Sequence, residues 1–462
     1  MPGKHTQIDI EVESPAERRA LIIGLTWPAL AENLLNTLVS TVDMIMVGVL
    51  GAWAIGAVGL VTQPRFLMLA AFQALSVGAT AMVSRFKGAG DRDNANLVLN
   101  QSLIMAVGIS VFISVIMYFG GEPLIRFLAG SNISEEMIQG GHAYLRIQVY
   151  GFPILALTFT INAVLRGVGN TRAAFYNNTT SNLVNVFFNY CLIGGNLGFP
   201  KWGVAGASIA TVIGQCVAFA MALYKVLNGS EFVRIQLDKL RRVDFSIIRR
   251  ILNIGIPALV EQAIMRTGVL LYTKIVTSLG DYSYSAHMIA MNLQQFSFMT
   301  GMSFGTAATT LVGQSLGRVR EDLAKLYVKI TLQLNLITAL FVTLILFFGG
   351  GFITALFTSD TELSALAANM LRIIALANVF TCARFVYTSA LRGAGDSRFV
   401  AVITMVGVLL IRPIMSFILV FPMFPFQIGL SGVWISLCSD GIICYLIARA
   451  RFKAGKWASI KV

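Results

Sequence analysis

The chain has 462 residues, of which 56% are hydrophobic and only 12% are charged, and its formal net charge is +13. Soluble domains carry about 25% charged residues, so this composition excludes an ordinary soluble protein. In a membrane protein, excess positive charge is explained by Lys and Arg in the cytoplasmic loops rather than by nucleic-acid binding. We therefore expect a polytopic membrane protein in contact with lipid and without a nucleic-acid partner.

Twelve apolar segments, each long enough to cross a bilayer, follow one another along the chain. We predict a transmembrane helix at each of them: residues 21–49, 53–83, 95–120, 142–165, 174–197, 203–227, 248–278, 283–314, 325–350, 363–391, 398–421 and 429–449. Lys and Arg concentrate in the two tails and in the even-numbered loops, with Arg126 and Lys201 as exceptions in odd-numbered loops. The positive-inside rule then predicts that both termini are cytoplasmic.

The first predicted helix, residues 21–49, carries only two charged residues, Glu32 and Asp43. They are eleven positions apart, close to three helical turns, so both project from one face, together with Asn36 and Ser40. Carboxylates inside a membrane helix usually face a bundle interior or a water-filled cavity. We therefore expect these four side chains to line a cavity.

The second half of the chain repeats the first. Three pairs of segments match in the same order, at 22–33 and 251–262, 164–172 and 390–398, and 203–210 and 429–436. Each repeat holds six predicted helices, so both repeats enter the membrane in the same orientation. The predicted fold is an all-α membrane protein of twelve transmembrane helices in two six-helix lobes related by a parallel internal repeat. Its parts are a cytoplasmic tail at 1–20, an N-lobe at 21–227, a cytoplasmic linker at 228–247, a C-lobe at 248–449 and a cytoplasmic tail at 450–462.

The repeat also shows where the two halves differ. Glu32 corresponds to Glu261, whereas the position equivalent to Asp43 is occupied by Tyr272. A shared carboxylate is compatible with a structural hydrogen bond as well as with a place in the cavity. An unshared carboxylate kept in an apolar helix indicates that Asp43 binds an ion or a proton, the alternative being a structural hydrogen bond to a neighbouring helix.

Four further arginines need an interpretation. Arg166 and Arg392 end predicted helices beside tight glycine turns, and we assign them to anchoring those loops. Arg266 and Arg384 lie inside apolar stretches, where they either pair with Glu261 or line the cavity. The residues leave this choice open.

Several segments resemble those of the multidrug and toxic compound extrusion (MATE) family of transporters. They are STVDMIMVGVLG at 40–51, the RGxG segments within 164–172 and 390–398, NLVNVFFNYCLIGG at 182–195, GVAGASIAT at 203–211 and TTLVGQSLG at 309–317. The resemblance spans essentially the whole sequence. It implies twelve helices in two lobes that export organic cations and other amphipathic compounds in exchange for protons or sodium ions.

The resemblance also implies roles for individual residues. Asp43 occupies the position of the coupling aspartate in the first helix of the family. Asn185 and Thr211 match an Asn and a Thr of sodium-binding members, whereas Asn189 stands where those members often have Asp. The expected ion-coupling set, which is also the candidate sodium site, is therefore Asp43, Asn185, Asn189 and Thr211. The expected substrate cavity is lined by Asp43, Asn36, Ser40, Glu32 and Glu261.

The predicted function is that of a secondary active multidrug exporter, an antiporter of cationic or amphipathic compounds that works by alternating access of two lobes. A lipid-linked saccharide flippase of the same broader superfamily, a duplicated channel and a scaffold are the alternatives. No clustered catalytic groups and no GxxxxGK(S/T) stretch are present, so we expect neither an enzyme nor ATP-driven pumping. We expect no cofactor besides the coupling ion, a monomer, and location in a bacterial-type plasma membrane.

Overall fold

The computed structural model of the protein describes residues 10, 14–129, 134–228, 232–236, 243–358, 360–420 and 428–460. These residues contain twelve long helices and no β-strand. The helices are α1 (Pro15–Gly48), α2 (Ala52–Gly88), α3 (Arg92–Ala129), α4 (Glu135–Gly167), α5 (Thr171–Gly194), α6 (Gly203–Leu227), α7 (Phe245–Thr277), α8 (Asp281–Gly317), α9 (Glu321–Ala355), α10 (Thr361–Gly393), α11 (Ser397–Val420) and α12 (Leu430–Lys453). Within α11, Met405–Ile411 is a π-helical segment. The predicted fold class is confirmed.

Ten of the helices found in the described residues are long and apolar enough to cross a membrane, and the other two, α5 and α8, have a more polar composition. Local signals explain where several of them begin and end. Ser134, Asn170 and Asp360 precede α4, α5 and α10, and each side chain accepts a hydrogen bond from a backbone N–H of the first turn. Gly169 and Gly395, in the turns after α4 and α10, have φ angles of 92° and 90°, which favour glycine.

The two RGxG segments bring neighbouring helices close together in the same way. A Cβ atom on Gly167 would lie 3.0 Å from the backbone oxygen of Thr80, and one on Gly393 would lie 2.4 Å from that of Thr309. The hydroxyls of the same two threonines donate to backbone oxygens of α4 and α10, each over 2.9 Å. The internal repeat is thus visible in the packing of α4 on α2 and of α10 on α8.

The contacts of the described residues divide the chain into two units, one within 31–253 and the other within 14–30 and 254–460. We call them unit 1 and unit 2. Both divisions fall inside a helix, since the first turns of α1 belong to unit 2 and those of α7 belong to unit 1. In unit 2, Ile22 and Leu25 of α1 are buried in an apolar core with Phe304 of α8. The predicted lobes, 21–227 and 248–449, meet at the linker, whereas the two units meet inside α1 and α7. The lobe boundaries therefore remain a prediction.

Helices α3 and α9, which are equivalent in the repeat, expose most of their apolar surface. In the most apolar stretch of 18 residues of each helix, only 17% of the residues are buried. Phe112 and Phe119 of α3 are 67% and 77% exposed, and Phe341 and Phe348 of α9 are 64% and 76% exposed. Apolar faces of this length, carried on helices that can span a bilayer, are suited to contact with lipid.

Candidate functional site

A row of hydrogen bonds joins α1 to α5 inside unit 1. The amide nitrogens of three asparagines of α5 donate to side-chain oxygens of α1: Asn178 to Glu32 over 2.6 Å, Asn182 to Asn36 over 2.7 Å and Asn189 to Asp43 over 2.7 Å. Each pair is 146 residues apart, so the two helices run parallel in one constant register. We call these six residues the α1–α5 polar ladder. Glu32, Asn36 and Asp43 therefore lie on one face of α1. Ser40, between Asn36 and Asp43 in the sequence, is exposed.

The carboxylate of Asp43 is partly exposed and lies among three side chains from α5 and α6. With its amide nitrogen turned toward Asp43, Asn185 donates to the two carboxylate oxygens over 3.0 and 3.2 Å. Its oxygen then accepts hydrogen bonds from the hydroxyl and the backbone N–H of Thr211, over 3.2 and 3.1 Å. Together with the bond from Asn189, the structure brings Asp43, Asn185, Asn189 and Thr211 into one cluster. We call it the Asp43 cluster.

The Asp43 cluster is rich in oxygen atoms and contains a single carboxylate. The side-chain oxygen of Asn189 is buried and accepts no hydrogen bond from the described residues. Hard cations prefer oxygen ligands, and a carboxylate can instead take up a proton. Chemically, the cluster can therefore hold a proton on Asp43 or a sodium ion among the oxygens of Asp43, Asn185, Asn189 and Thr211.

At the other end of the ladder, Glu32 belongs to a larger polar network. Besides Asn178, it has the guanidinium of Arg166 at 3.6 Å. The oxygen of Asn178 accepts from Asn162 over 3.3 Å, and the oxygen of Asn162 accepts from Asn177 over 2.9 Å. Glu32 thus ties α1 to the ends of α4 and α5, as a structural hydrogen bond would.

Unit 2 contains the equivalent of this network. Glu261 of α7 is buried, and it accepts hydrogen bonds from Arg392 over 2.5 Å and from the hydroxyl of Thr404 over 3.1 Å. In the repeat, Arg392 and Thr404 occupy the positions of Arg166 and Asn178. Both arginines therefore lie beside a glutamate, a contact that the assignment to loop anchoring did not foresee.

A second buried carboxylate, which the sequence analysis missed, lies in unit 2. Asp440 of α12 is 1% exposed, and one of its oxygens accepts from Arg412 of α11, over 3.2 Å from Nε and 2.5 Å from Nη2. Its other oxygen is 3.9 Å from the guanidinium of Arg384 of α10. The alternatives for Arg384 were a pair with Glu261 or a place in the cavity wall, and the carboxylate that the structure places near it is that of Asp440. The missed signal was the presence of an Asp and an Arg in neighbouring apolar segments, where charges are usually paired.

The place of Asp43 is filled differently in unit 2. Its equivalent, Tyr272, is 2% exposed and packs against the ring of His287 with 5.3 Å between centroids. The guanidinium of Arg412 lies 5.6 Å from the centre of the Tyr272 ring. The positions equivalent to Asn182 and Asn189 are Val408 and Met415. The carboxylate of Asp43 and its amide partners are thus a property of unit 1.

Comparisons with known proteins agree with this architecture. The MatE family model matches residues 28–191 and 257–418, one stretch in each repeat. The chain is 29% identical over 448 residues to "Probable multidrug resistance protein NorM" of Thermotoga maritima, which covers 96% of this chain and 94% of that protein. It is 26% identical over 388 residues to "Multidrug resistance protein MdtK" of Pectobacterium atrosepticum, which covers 83% of each.

Solved structures show the same fold. A crystal structure of MATE in the bent conformation superposes with a TM-score of 0.87 at 22% identity, over 96% of this chain and 97% of that one. A MOP superfamily transporter from Pyrococcus furiosus gives a TM-score of 0.87 at 20% identity, over the same shares of the two chains. The family model covers most of the chain and both repeats. The chain therefore belongs to the MatE family, the multidrug and toxic compound extrusion transporters.

Proposed function

We propose that the protein is a secondary active exporter of cationic or amphipathic organic compounds, driven by antiport of a coupling ion that binds at Asp43. The observation that carries this proposal is the partly exposed carboxylate of Asp43, held by Asn189 over 2.7 Å in an otherwise uncharged cluster. The similarity of nearly the whole chain to a protein named as a multidrug resistance protein supports the substrate class.

The chemistry follows from one negative charge that two positive charges compete for. When Asp43 is ionised, it attracts an organic cation, and when an ion binds to it, that attraction is lost. Entry of the ion from one side and exit of the organic cation toward that side are thereby coupled. Asn185 and Asn189 direct the carboxylate through their N–H groups in the ion-free form.

We favour the proton as the coupling ion. The four side chains of the Asp43 cluster supply a single negative charge, since Asn189 stands where a second carboxylate would strengthen a sodium site. A proton needs only the carboxylate itself. As further parts of the proposal, both termini face the cytoplasm of a cell bounded by this membrane, the protein works as a monomer, and access to Asp43 alternates between the two sides.

Transport in inverted membrane vesicles tests the proposal. A fluorescent organic cation is supplied with an imposed pH gradient, acidic inside the vesicle, or with an imposed sodium gradient. We expect accumulation in the wild type under the pH gradient and none in Asp43→Asn, because the neutral amide can neither release a proton nor attract the cation. Both proteins should show the same melting temperature after purification.

Glu17→Gln provides the matched control, because Glu17 is an exposed carboxylate on the same helix. It should transport at the wild-type rate. Undiminished transport by Asp43→Asn would remove Asp43 from the mechanism. Transport driven by the sodium gradient alone would assign sodium, not the proton, to the Asp43 cluster.

A further inference from the structure

A groove with charged and aromatic walls lies on the surface of unit 1, where α3 ends and α4 begins. Two adjoining cavities of about 610 and 580 Å³ share the lining residues Glu122, His142 and Arg146. Tyr118 and Tyr150 line its walls as well. We call it the α3–α4 groove, and the proposed transport mechanism does not use it.

The charges along the groove are only partly neutralised within the protein. Arg126 binds Glu135 over 2.6 and 2.8 Å and binds one oxygen of Glu122 over 3.0 and 3.1 Å. The second oxygen of Glu122 lies 3.9 Å from Nδ1 of His142. Arg126 is one of the two cations that departed from the predicted charge asymmetry, and these contacts neutralise it.

Arg146 supplies a positive charge on the other wall. Among the described residues, no Asp or Glu oxygen lies within salt-bridge distance of its guanidinium. The hydroxyl of Tyr118 is 3.5 Å from its guanidinium and the centre of the Tyr118 ring is 5.6 Å away, and the hydroxyl of Tyr150 is a second neutral partner. The groove thus presents an uncompensated cation and a carboxylate oxygen that is available for a further hydrogen bond.

With α4 centred in a bilayer and parallel to its normal, the groove reaches the lipid head groups. A helix of 33 residues such as α4 is about 50 Å long, so it extends about 10 Å beyond each side of a hydrocarbon core of about 30 Å. Arg146 lies eleven residues after the start of α4, so its backbone is about 6 Å inside the boundary of the hydrocarbon core at the N-terminal end of this helix. An Arg side chain is long enough to reach the head groups from that depth. Tyr118 is exposed beside it, as in an interfacial aromatic belt, and Phe119 continues the apolar face of α3.

We propose that the α3–α4 groove binds a zwitterionic phospholipid whose head group carries a primary ammonium. The phosphate binds Arg146, the ammonium donates to the second oxygen of Glu122, and an acyl chain lies along Phe119. A purely anionic head group would meet the charge of Glu122 without compensating it. A quaternary ammonium has no N–H to donate. The charge pattern therefore favours a primary amine over both.

The repeat supplies a matched control site. In unit 2, Arg372 occupies the position of Arg146, but Gly351 occupies the position of Glu122. Arg372 donates to Asn369 over 2.9 Å. The pairing of a free cation with a carboxylate oxygen is therefore specific to unit 1.

Native mass spectrometry of the full chain, taken from nanodiscs with equal amounts of phosphatidylethanolamine, phosphatidylcholine and phosphatidylglycerol, tests the proposal. We expect the wild type and Arg372→Ala to retain phosphatidylethanolamine in preference to the other two. Arg146→Ala should retain about tenfold less of it, the effect of one lost charge-assisted hydrogen bond. Glu122→Gln should retain phosphatidylethanolamine and phosphatidylcholine equally.

Two results would overturn the proposal: equal retention of phosphatidylethanolamine by Arg146→Ala and the wild type, or preferential retention of phosphatidylglycerol that Glu122→Gln leaves unchanged. The second result would identify a site for anionic lipid instead. Melting temperatures of the three variants separate a lost contact from a lost fold, because the residues concerned lie on the surface. Transport is not measured, so the outcome does not depend on the proposed exporter function.

Discussion

Asp440 of α12 shows how strongly a single buried charge depends on its partner. Its carboxylate is 1% exposed and is held mainly by Arg412, with Arg384 farther away. Removing one member of a buried ion pair leaves the other charge uncompensated, at a cost of about 3–5 kcal/mol. We therefore expect Asp440→Asn to lower the free energy of unfolding by about that amount, which thermal unfolding of the purified protein would reveal.

Asp322→Asn is the control for this substitution, because Asp322 is 67% exposed and its pair with Arg320 lies on the surface. Exposed ion pairs contribute little to stability, so the melting temperature of this variant should stay near that of the wild type. The double variant Asp440→Asn with Arg412→Met should recover part of the lost stability. Equal melting temperatures for Asp440→Asn and Asp322→Asn would show that Arg412 finds another counter-charge.

The candidate site could be predicted in part from single residues. Glu32 and Asp43 stood out because a charge inside an apolar run is rare. Asn178 and Asn182 did not stand out, although the asparagines of α5 recur at helical spacing on one face. Asp440 and Arg412 carry the same signal of a charge inside an apolar run and were overlooked, whereas the approach of Arg384 to Asp440 depends on how α10 packs against α12.

At the scale of helices, the π-helical segment Met405–Ile411 is the main irregularity. Gly407 lies in this segment, and a Cβ atom there would come within 2.0 Å of Asp440 Oδ1 and 2.4 Å of Cys444 Sγ. Gly407→Ala must therefore displace a buried ion pair, and overpacking typically costs about 1–3 kcal/mol. We expect a lower melting temperature, measured by thermal unfolding in detergent.

Gly351→Ala tests whether any Gly-to-Ala change in a membrane helix has this effect. Gly351 lies within α9, and nothing lies within 4 Å of the Cβ atom that the substitution would add. Alanine is favoured over glycine in a helix by about 1 kcal/mol, so this variant should be as stable as the wild type or more stable. If Gly407→Ala behaves the same way, the contact with Asp440 does not restrain α11.

Most helix positions were predicted well, because long apolar runs separated by basic or glycine-containing loops leave few alternatives. The ends were less accurate. The third helix was predicted at 95–120, whereas α3 extends from Arg92 to Ala129. Hydropathy marks only the part that lies in hydrocarbon, while backbone hydrogen bonds continue the helix through polar residues such as Glu122 and Arg126. The π-helical segment has no sequence signal of this kind.

At the scale of the whole molecule, both repeats are predicted to begin and end on the same side of the membrane. The charge asymmetry predicts that the C-terminal tail is in the cytoplasm and that the turn after α7 is outside. In a variant with all five cysteines replaced by Ala, we introduce Ser278→Cys in that turn or Ser459→Cys in the tail. Both positions are exposed. A membrane-impermeant maleimide should label the first in intact cells and the second only after permeabilisation.

Labelling of permeabilised cells shows that both introduced thiols react, which makes the result in intact cells interpretable. Labelling of the C-terminal position in intact cells would reverse the predicted orientation. The duplication itself was predictable because the matching segments keep their order. How far the two halves differ was only partly predictable, because the exchange of Asp43 for Tyr272 is visible in the sequence but the contacts that join Asp440 to two arginines are not.

The three bonds of the α1–α5 polar ladder are spread over eleven residues of α1, about 16 Å of helix length. Because all three leave from one face, turning α1 about its own axis would pull every one of them out of line together. The rotational position of Asp43 about the axis of α1 is therefore set largely by Asn36 and Glu32, which lie about two and three turns away from it. We therefore expect Asp43→Asn to remove the charge without rotating α1. The variant then separates the effect of the charge from the effect of the orientation of the helix.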